Sequence, residues 1–309
     1  MTPVSNRVVR LDTSSLLPAE CHFNPSLAWW EGSLSMVYRR VTPEQGVDVV
    51  EWPRQLALCR LNEQLQPEPG TQIDLSARIE DAPGARRWHA DARFFLRRDT
   101  PWLYFHDNHD LFMMALNPND VPDSLRPRPV ALVGRARRER ERNWGFFDDG
   151  QLKAIYTIDP HVVLQVSETV TTFEARDLHE TRPEIPWAVD RWGEPHGGTA
   201  PVRVGDCWFS FFQSSALVRP GSEQKLYVVG FYGFDAAPPH PIRYMTGRPL
   251  LEGRELQGQK SFWNDYAVAY PSGAVYRDGT WLLALGIHDR AIGFVRLAHD
   301  ELLASCEKF

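Results

Sequence analysis

Five stretches of the chain share one layout: a polar head, a short aromatic-rich run, a tight turn, and a second run alternating apolar and polar residues. The clearest copy is Arg142-Asn143-Trp144-Gly145-Phe146-Phe147-Asp148-Asp149-Gly150-Gln151-Leu152-Lys153-Ala154-Ile155-Tyr156, which reads as a β-hairpin closed at Asp149-Gly150. The others begin at Asn24-Pro25-Ser26-Leu27 (turn Glu31-Gly32), Ala90-Asp91-Ala92-Arg93 (turn Arg98-Asp99), Gly198-Thr199-Ala200-Pro201 (turn Gly205-Asp206) and Ser272-Gly273-Ala274-Val275 (turn Asp278-Gly279). Successive turns are roughly fifty to seventy residues apart, room for four strands and their loops, and radial repetition of such units hides the sheet edges of an all-β chain. The pattern predicts an all-β, five-bladed β-propeller occupying residues 1–309 as one domain, with a sandwich or a pair of β domains as the alternative.

The rest of the composition agrees with strands. The 11 Trp, 16 Phe and 9 Tyr suit pleated, half-buried surfaces. Helical patterns are short and confined to His299–Ala304 and Asn119–Leu125. Arg7–Leu11 is expected to close the ring beside the last blade, and Glu174–Pro195 reads as a long polar connection between blades three and four. A net charge of −6 with mixed signs excludes a sequence-independent grip on nucleic acid. The run Arg135–Arg142 alternates with Glu139 and Glu141 and reads as a solvated edge. Four cysteines far apart, with no Cys-x-x-Cys pair, point to a reduced, cytoplasmic protein. The start of the chain lacks the apolar core of a secretory signal, and no apolar run is long enough to insert in a membrane.

In a propeller the inner strands all start at one end of the central channel, so residues distant in sequence converge there. The strand starts offer Asn24, Asp91, Arg93, Arg142, Asn143, Thr199 and Ser272; neighbouring strand ends add His106, Asp107, Asp159, His161, Gln213, His288 and Asp289. Carboxylates, amides, cations and rings such as Trp144 and Tyr232 suit a sugar, whose hydroxyls need donors and acceptors and whose faces pack on aromatics. His106-Asp107-Asn108-His109-Asp110 has the composition of a metal cluster, but its place between two strands makes a polar hairpin tip the simpler reading, and no metal or cofactor is expected. Gly197-Gly198 offers either a backbone phosphate cradle or tight turn packing.

Several of these motifs occur together in a known order. His89-Ala90-Asp91-Ala92-Arg93, Arg142-Asn143-Trp144, His196-Gly197-Gly198-Thr199-Ala200-Pro201, Arg243 with Pro249-Leu250-Leu251, and Tyr270-Pro271-Ser272-Gly273 followed by Gly286-Ile287-His288-Asp289 resemble the five-bladed enzymes of glycoside hydrolase family 130. Those are mannoside phosphorylases and mannosidases, and glycosyltransferase family 108 resembles them. The resemblance covers roughly residues 22 to 297. It implies inverting transfer of a mannose-like hexosyl group, with Asp91 at the position of the family's proton donor, and a carbohydrate substrate with phosphate or a sugar nucleotide as co-substrate. Phosphate as nucleophile needs cationic and amide groups rather than a second carboxylate, for which Arg93, Arg142, Asn143, Lys153 and His196 are candidates. Ala90 and Ala92 stand where the family commonly has Glu and Pro, and Arg142 where it has Lys. An inverting hydrolase would instead need a second carboxylate, from Asp107, Asp159 or Asp289, about 6.5–9.5 Å from the first. A non-catalytic propeller binding a glycan or a protein is the alternative outside enzymology.

Overall fold

The computed structural model describes residues 3–42, 44–48, 51–80, 88–219, 221–222, 224–259 and 266–309. They form five antiparallel blades. Blade one is Cys21–Trp30, Ser33–Val41, Arg54–Leu61 and Ile73–Asp74; blade two is Ala90–Arg97, Thr100–His106, Leu111–Ala115 and Arg128–Leu132. Blade three is Gly145–Asp148, Leu152–Thr157, His161–Glu168 and Phe173–Thr181. In blade four an interrupted inner strand, His196–Gly197 and Val202–Val204, pairs with Cys207–Leu217, which leads to Lys225–Asp235, Ile242–Thr246 and finally Cys306–Lys308 from the C-terminus. Blade five is Ala269–Arg277, Thr280–Ile287 and Ala291–Ala298.

The ring closes at the N-terminus, as expected: Val9 and Arg10 pair with Phe294 and Gly293 and supply the outer strand of blade five. Each inner hairpin packs on the next blade around the circle, blade five meeting blade one through the inner strands Cys21–Trp30 and Ala269–Arg277. That last approach is close enough that a Cβ on Gly273 would stand 2.4 Å from the Ser26 Cα, so only glycine fits there. The apolar side chains lie in the seams between blades, with Trp144, Phe146, Tyr104 and Phe95 filling the seam of blades two and three. Burying side chains of this size contributes about 1.5–3 kcal/mol each, so the seams hold the ring together.

Two expectations fail. The stretch read as a polar connection from Glu174 begins instead inside a strand, Phe173–Thr181, the outer strand of blade three. That strand pairs antiparallel with His161–Glu168 and parallel with Arg128–Leu132, joining blades two and three at their rims. Its alternating charges are those of a strand with one face in water. Residues 119–125 form turns rather than a helix, and Leu125 bridges to Ile79. The C-terminal helix His299–Ala304 forms where its pattern places it. All four cysteines are free, and among the described residues no helix is long and apolar enough to cross a membrane.

Candidate active site

The inner strands do not start regularly. Register shifts interrupt the pairing between Phe23 and Ser26, between Ala90 and Arg93, and between Pro271 and Gly273. Asn24, Asp91 and Asn143, at equivalent places in blades one, two and three, have φ of 49°, 52° and 64°. A bulge of this kind re-aims one side chain out of the ladder, and Asn and Asp tolerate positive φ better than most residues. Three polar side chains are thereby turned toward one end of the ring.

They meet there. Asn24 Nδ2 donates to Asp91 Oδ1 at 2.8 Å and Arg39 Nη1 donates to the same oxygen at 3.2 Å. His106 Nε2 stands 3.2 Å from Asp91 Oδ2. The Asp91 side chain is only 14% exposed. Burial by itself would raise its pKa, but the His106 hydrogen bond, the Arg39 charge and the Asn24 amide outweigh it and hold the carboxyl well below the usual carboxylate range. A Cβ on Gly286 would lie 2.0 Å from Asn24 Oδ1, so the bare backbone of blade five makes room for that amide.

Beside this carboxylate lies a second network. Arg93, 2% exposed, donates from Nη2 to the Tyr270 hydroxyl at 2.7 Å and to Asn143 Oδ1 at 3.4 Å, and from Nη1 to the Trp144 carbonyl at 3.4 Å. Tyr270 in turn donates to Asn143 Oδ1 at 2.8 Å. Burial would lower the Arg93 pKa; Tyr270, Tyr104 and Asp91 reverse that and keep the guanidinium charged. Among the described residues no carboxylate lies within ion-pair distance of Arg93, so this buried cation has only neutral hydrogen-bond partners there. Burial pushes the Tyr270 hydroxyl up, so it stays protonated and donates.

Blade four completes the rim. A Cβ on Gly197 would fall 2.1 Å from the Asn143 carbonyl oxygen and one on Gly198 2.5 Å from that of Phe211, so the glycine pair packs tightly rather than forming an open cradle. This packing sets His196 beside Asn143, opposite Gln213 in register. Gln213 is 6% exposed and its Oε1 has no hydrogen-bond partner among the described residues. The His196 pKa is pushed down first by burial and also by Arg138, Arg142 and Lys225, against the pull of Glu194. Tyr227, raised by burial and by Asp289 and lowered by Arg142, lies on the same rim. Arg54 is depressed by burial and by Arg39, and pulled back by Asp91 and Asp289. Asp91 and Asp289 thus both act on Arg54.

Of the residues expected from sequence, Asn24 and His106 meet Asp91 by direct hydrogen bonds and Arg93 meets Asn143 beside them, with Arg142, His196, Gln213 and Asp289 around them. Others lie elsewhere. Lys153 follows the inner turn of blade three, at the opposite end of the hairpin from Asn143, and its ammonium is paired with Asp149. Tyr232 is 2% exposed, packed between Phe212, Phe234 and His161 in the blade-four core. Trp144 is buried against Phe146 and Tyr156, its indole N–H donating to Glu141 Oε2 at 3.2 Å. Thr199 Oγ1 accepts the Phe211 N–H at 3.0 Å, and the Ser272 hydroxyl donates to the Pro25 carbonyl at 2.8 Å, so both close strand junctions. His288 Nδ1 accepts the Val268 N–H and Nε2 bonds the Leu256 carbonyl, each at 3.0 Å, which ties it to the backbone. His161 is fully buried. Asp107 caps its own turn, accepting the N–H groups of His109 and Asp110 at 3.0 and 2.8 Å.

Sequence reasoning gave no site role to Arg39, Arg54, Tyr227 or Tyr270, although Tyr270 opens one of the matched motifs. Arg39 carried a signal: two arginines end the otherwise apolar run Met36-Val37-Tyr38, and a cation inside a buried strand needs a partner.

A scan against protein-family models and a search of curated proteins each find no match. Solved structures do match over nearly the whole chain. A β-1,2-mannobiose phosphorylase from Listeria innocua is 13% identical with a TM-score of 0.63, covering 96% of this chain and 98% of its own. A glycoside hydrolase of the mannoside phosphorylase family 130, targeting β-1,2-mannosidic linkages in Candida mannan, is 13% identical with a TM-score of 0.59, covering 96% and 92%. A mannose phosphorylase from Leishmania mexicana, in complex with a phosphate ion, is 10% identical with a TM-score of 0.55, covering 94% and 87%. At these identities the match establishes the shared fold, and the fold resembles that of family 130.

Proposed function

We propose that this chain is a carbohydrate-active enzyme that transfers a mannose-like hexosyl group with inversion, between a hydroxyl and a phosphate-bearing group, at the end of the ring that holds Asp91. The observation that carries this reading is the convergence of Asp91 with the Arg93–Asn143–Tyr270 network from blades two, three and five, and Asn24 and Arg39 from blade one. A carboxylate stands beside a buried guanidinium that has no carboxylate of its own. This is the pairing needed to move a proton at one oxygen of the anomeric carbon while an oxyanion is held at the other.

In this mechanism Asp91 exchanges a proton with the hydroxyl that accepts or releases the hexosyl group. It rests ionised, so it accepts the proton when the hexosyl is delivered to a hydroxyl; in the opposite direction it must first be protonated. Arg93, Asn143, Arg142 and His196 hold the phosphate on the opposite face of the ring, where inversion requires the second oxygen to be. Structures of mannoside phosphorylases with the same fold support phosphate as the partner group.

A hydrolase is the second reading, and of the three carboxylates considered for it Asp289 acts on the same Arg54 as Asp91 does. The discriminating experiment is a screen of β-mannosides with and without phosphate, and of hexosyl 1-phosphate and nucleotide-sugar donors with sugar acceptors, with anomeric configuration read by NMR. Phosphate-dependent release of an α-configured hexosyl 1-phosphate from a β-mannoside supports the proposal. Phosphate-independent release of free hexose favours the hydrolase, and turnover only with nucleotide sugars moves the donor to that class.

A further inference from the structure

Among the described residues Asp91 is met only by donors, and one of them is supplied by the His106–Asp110 turn. Neutral imidazole carries a proton on one nitrogen and a lone pair on the other. In His106 the lone pair is assigned by geometry: the backbone N–H of Asn108 donates to Nδ1 at 3.1 Å. Nε2 therefore carries the proton and donates it to Asp91 Oδ2 at 3.2 Å. The turn that presents Asn108 is heavily braced. Asn108 itself has φ of 85°, Asp107 Oδ1 accepts two N–H groups, and Arg137 donates to the His109 carbonyl at 3.0 Å and to Asp110 at 2.6 Å. His106 is 7% exposed, so water does not readily replace its hydrogen bond.

We propose that His106 is a positioning residue for Asp91: the turn fixes its Nε2–H tautomer, and that N–H orients Oδ2 and sets the pH at which Asp91 takes up a proton. The inference rests on the reading of Asp91 as the proton-transfer group. In the direction of hexosyl delivery, the acceptor O–H bond breaks as its oxygen bonds the anomeric carbon. The bond from that carbon to the phosphate oxygen breaks with its electron pair leaving on phosphate, and the proton passes to Asp91. No bond to His106 forms or breaks. The other charged or titratable groups around Asp91 are Arg39 and Arg54 from blade one, Arg93 from its own strand, Tyr270 from blade five, and Asp289, which acts on Arg54. With three arginines still present, removal of His106 leaves Asp91 ionised near neutrality but raises the pH at which it protonates.

The test compares His106→Ala and His106→Gln with the parent protein. It uses kcat and KM for hexosyl delivery from a hexosyl 1-phosphate, the acid limb of the kcat/KM profile, and a carbon-13 NMR titration of the Asp91 carboxyl in the ligand-free protein. For His106→Ala we expect kcat to fall about tenfold with KM changed less than about threefold, a split that marks positioning rather than ligand binding. The acid limb and the Asp91 midpoint should both move up by about one pH unit, and His106→Gln, which keeps an N–H donor, should recover most of both. An Asp91 midpoint and acid limb unchanged in His106→Ala would overturn the inference, whatever the loss of rate. Full activity of an Asp91→Asn variant would instead remove the reading on which the inference rests, a failure visible without any His106 variant.

Discussion

Replacing Tyr270 with Phe removes one oxygen from the centre of the site and leaves the ring in place. That hydroxyl accepts from Arg93 at 2.7 Å and donates to Asn143 at 2.8 Å, whereas the remaining Arg93 contacts to Asn143 and Trp144 are both 3.4 Å. The loss therefore takes the one short hydrogen bond of a buried cation and leaves an amide oxygen with a single long contact. A hydrogen bond to a charged group contributes about 1.5–3 kcal/mol and a neutral one about 1 kcal/mol, so the folded state should lose about 3 kcal/mol. If Arg93 and Asn143 hold the phosphate in the transition state, kcat/KM falls with the same geometry, by about thirtyfold to a hundredfold, equivalent to about 2–3 kcal/mol. Urea unfolding followed by tryptophan fluorescence reads the first quantity, and initial rates with a hexosyl 1-phosphate read the second. Stability within about 0.5 kcal/mol of the parent, together with unchanged kcat/KM, would show that the network neither supports the fold nor touches the ligand.

Two further outcomes follow from the same geometry. Arg142→Ala removes an exposed charge felt at His196, Tyr227 and Tyr270, and should raise KM for phosphate by about tenfold while stability stays within about 0.5 kcal/mol; phosphate inhibition and saturation curves check it. His161 is fully buried, with neither ring nitrogen hydrogen-bonded among the described residues, and burial followed by the nearby His240 lowers its pKa to about 3. Below an unfolded-state pKa near 6.5 the unfolded chain binds a proton that the native protein does not. Stability is therefore lost as pH falls, by about 2 kcal/mol between pH 7.5 and pH 5. His161→Phe should abolish that part of the acid sensitivity, and equal urea midpoints for the two proteins at pH 5 relative to pH 7.5 would contradict it.

The ring was legible because its inner hairpins carry their own signals. Asp-Gly and Gly-Asp turns stand next to aromatic strands at Asp149-Gly150, Gly205-Asp206 and Asp278-Gly279, and local turn chemistry does not depend on the rest of the fold. The outer strand Phe173–Thr181 was illegible for the opposite reason. One face of it is in water, and its charges are satisfied by partners such as Arg135 with Asp177, so hydrophobic alternation is weak. Strand starts anticipated that Asn24, Asp91 and Asn143 gather at one end of the ring. Lys153 and Tyr232 lie apart from that cluster because a residue just past an inner turn, or deep in the second half of a long strand, belongs to the other end or to the seam. That distinction follows from strand direction and was available in principle. Tyr270 and Arg39 could not be placed from pattern alone, since each lies in a run that reads as apolar core and acquires its role only through contacts more than 50 residues away in sequence.

The most direct test of the account is Asp91→Asn. An amide keeps the shape of the side chain but cannot accept the proton that hexosyl transfer releases. The variant should therefore bind a hexosyl 1-phosphate by calorimetry within about tenfold of the parent while its turnover falls by about three orders of magnitude or more, within the range for loss of a general acid or base. Turnover within a factor of two of the parent, with the fold intact by circular dichroism, would remove Asp91 from the chemistry and contradict the account at its centre.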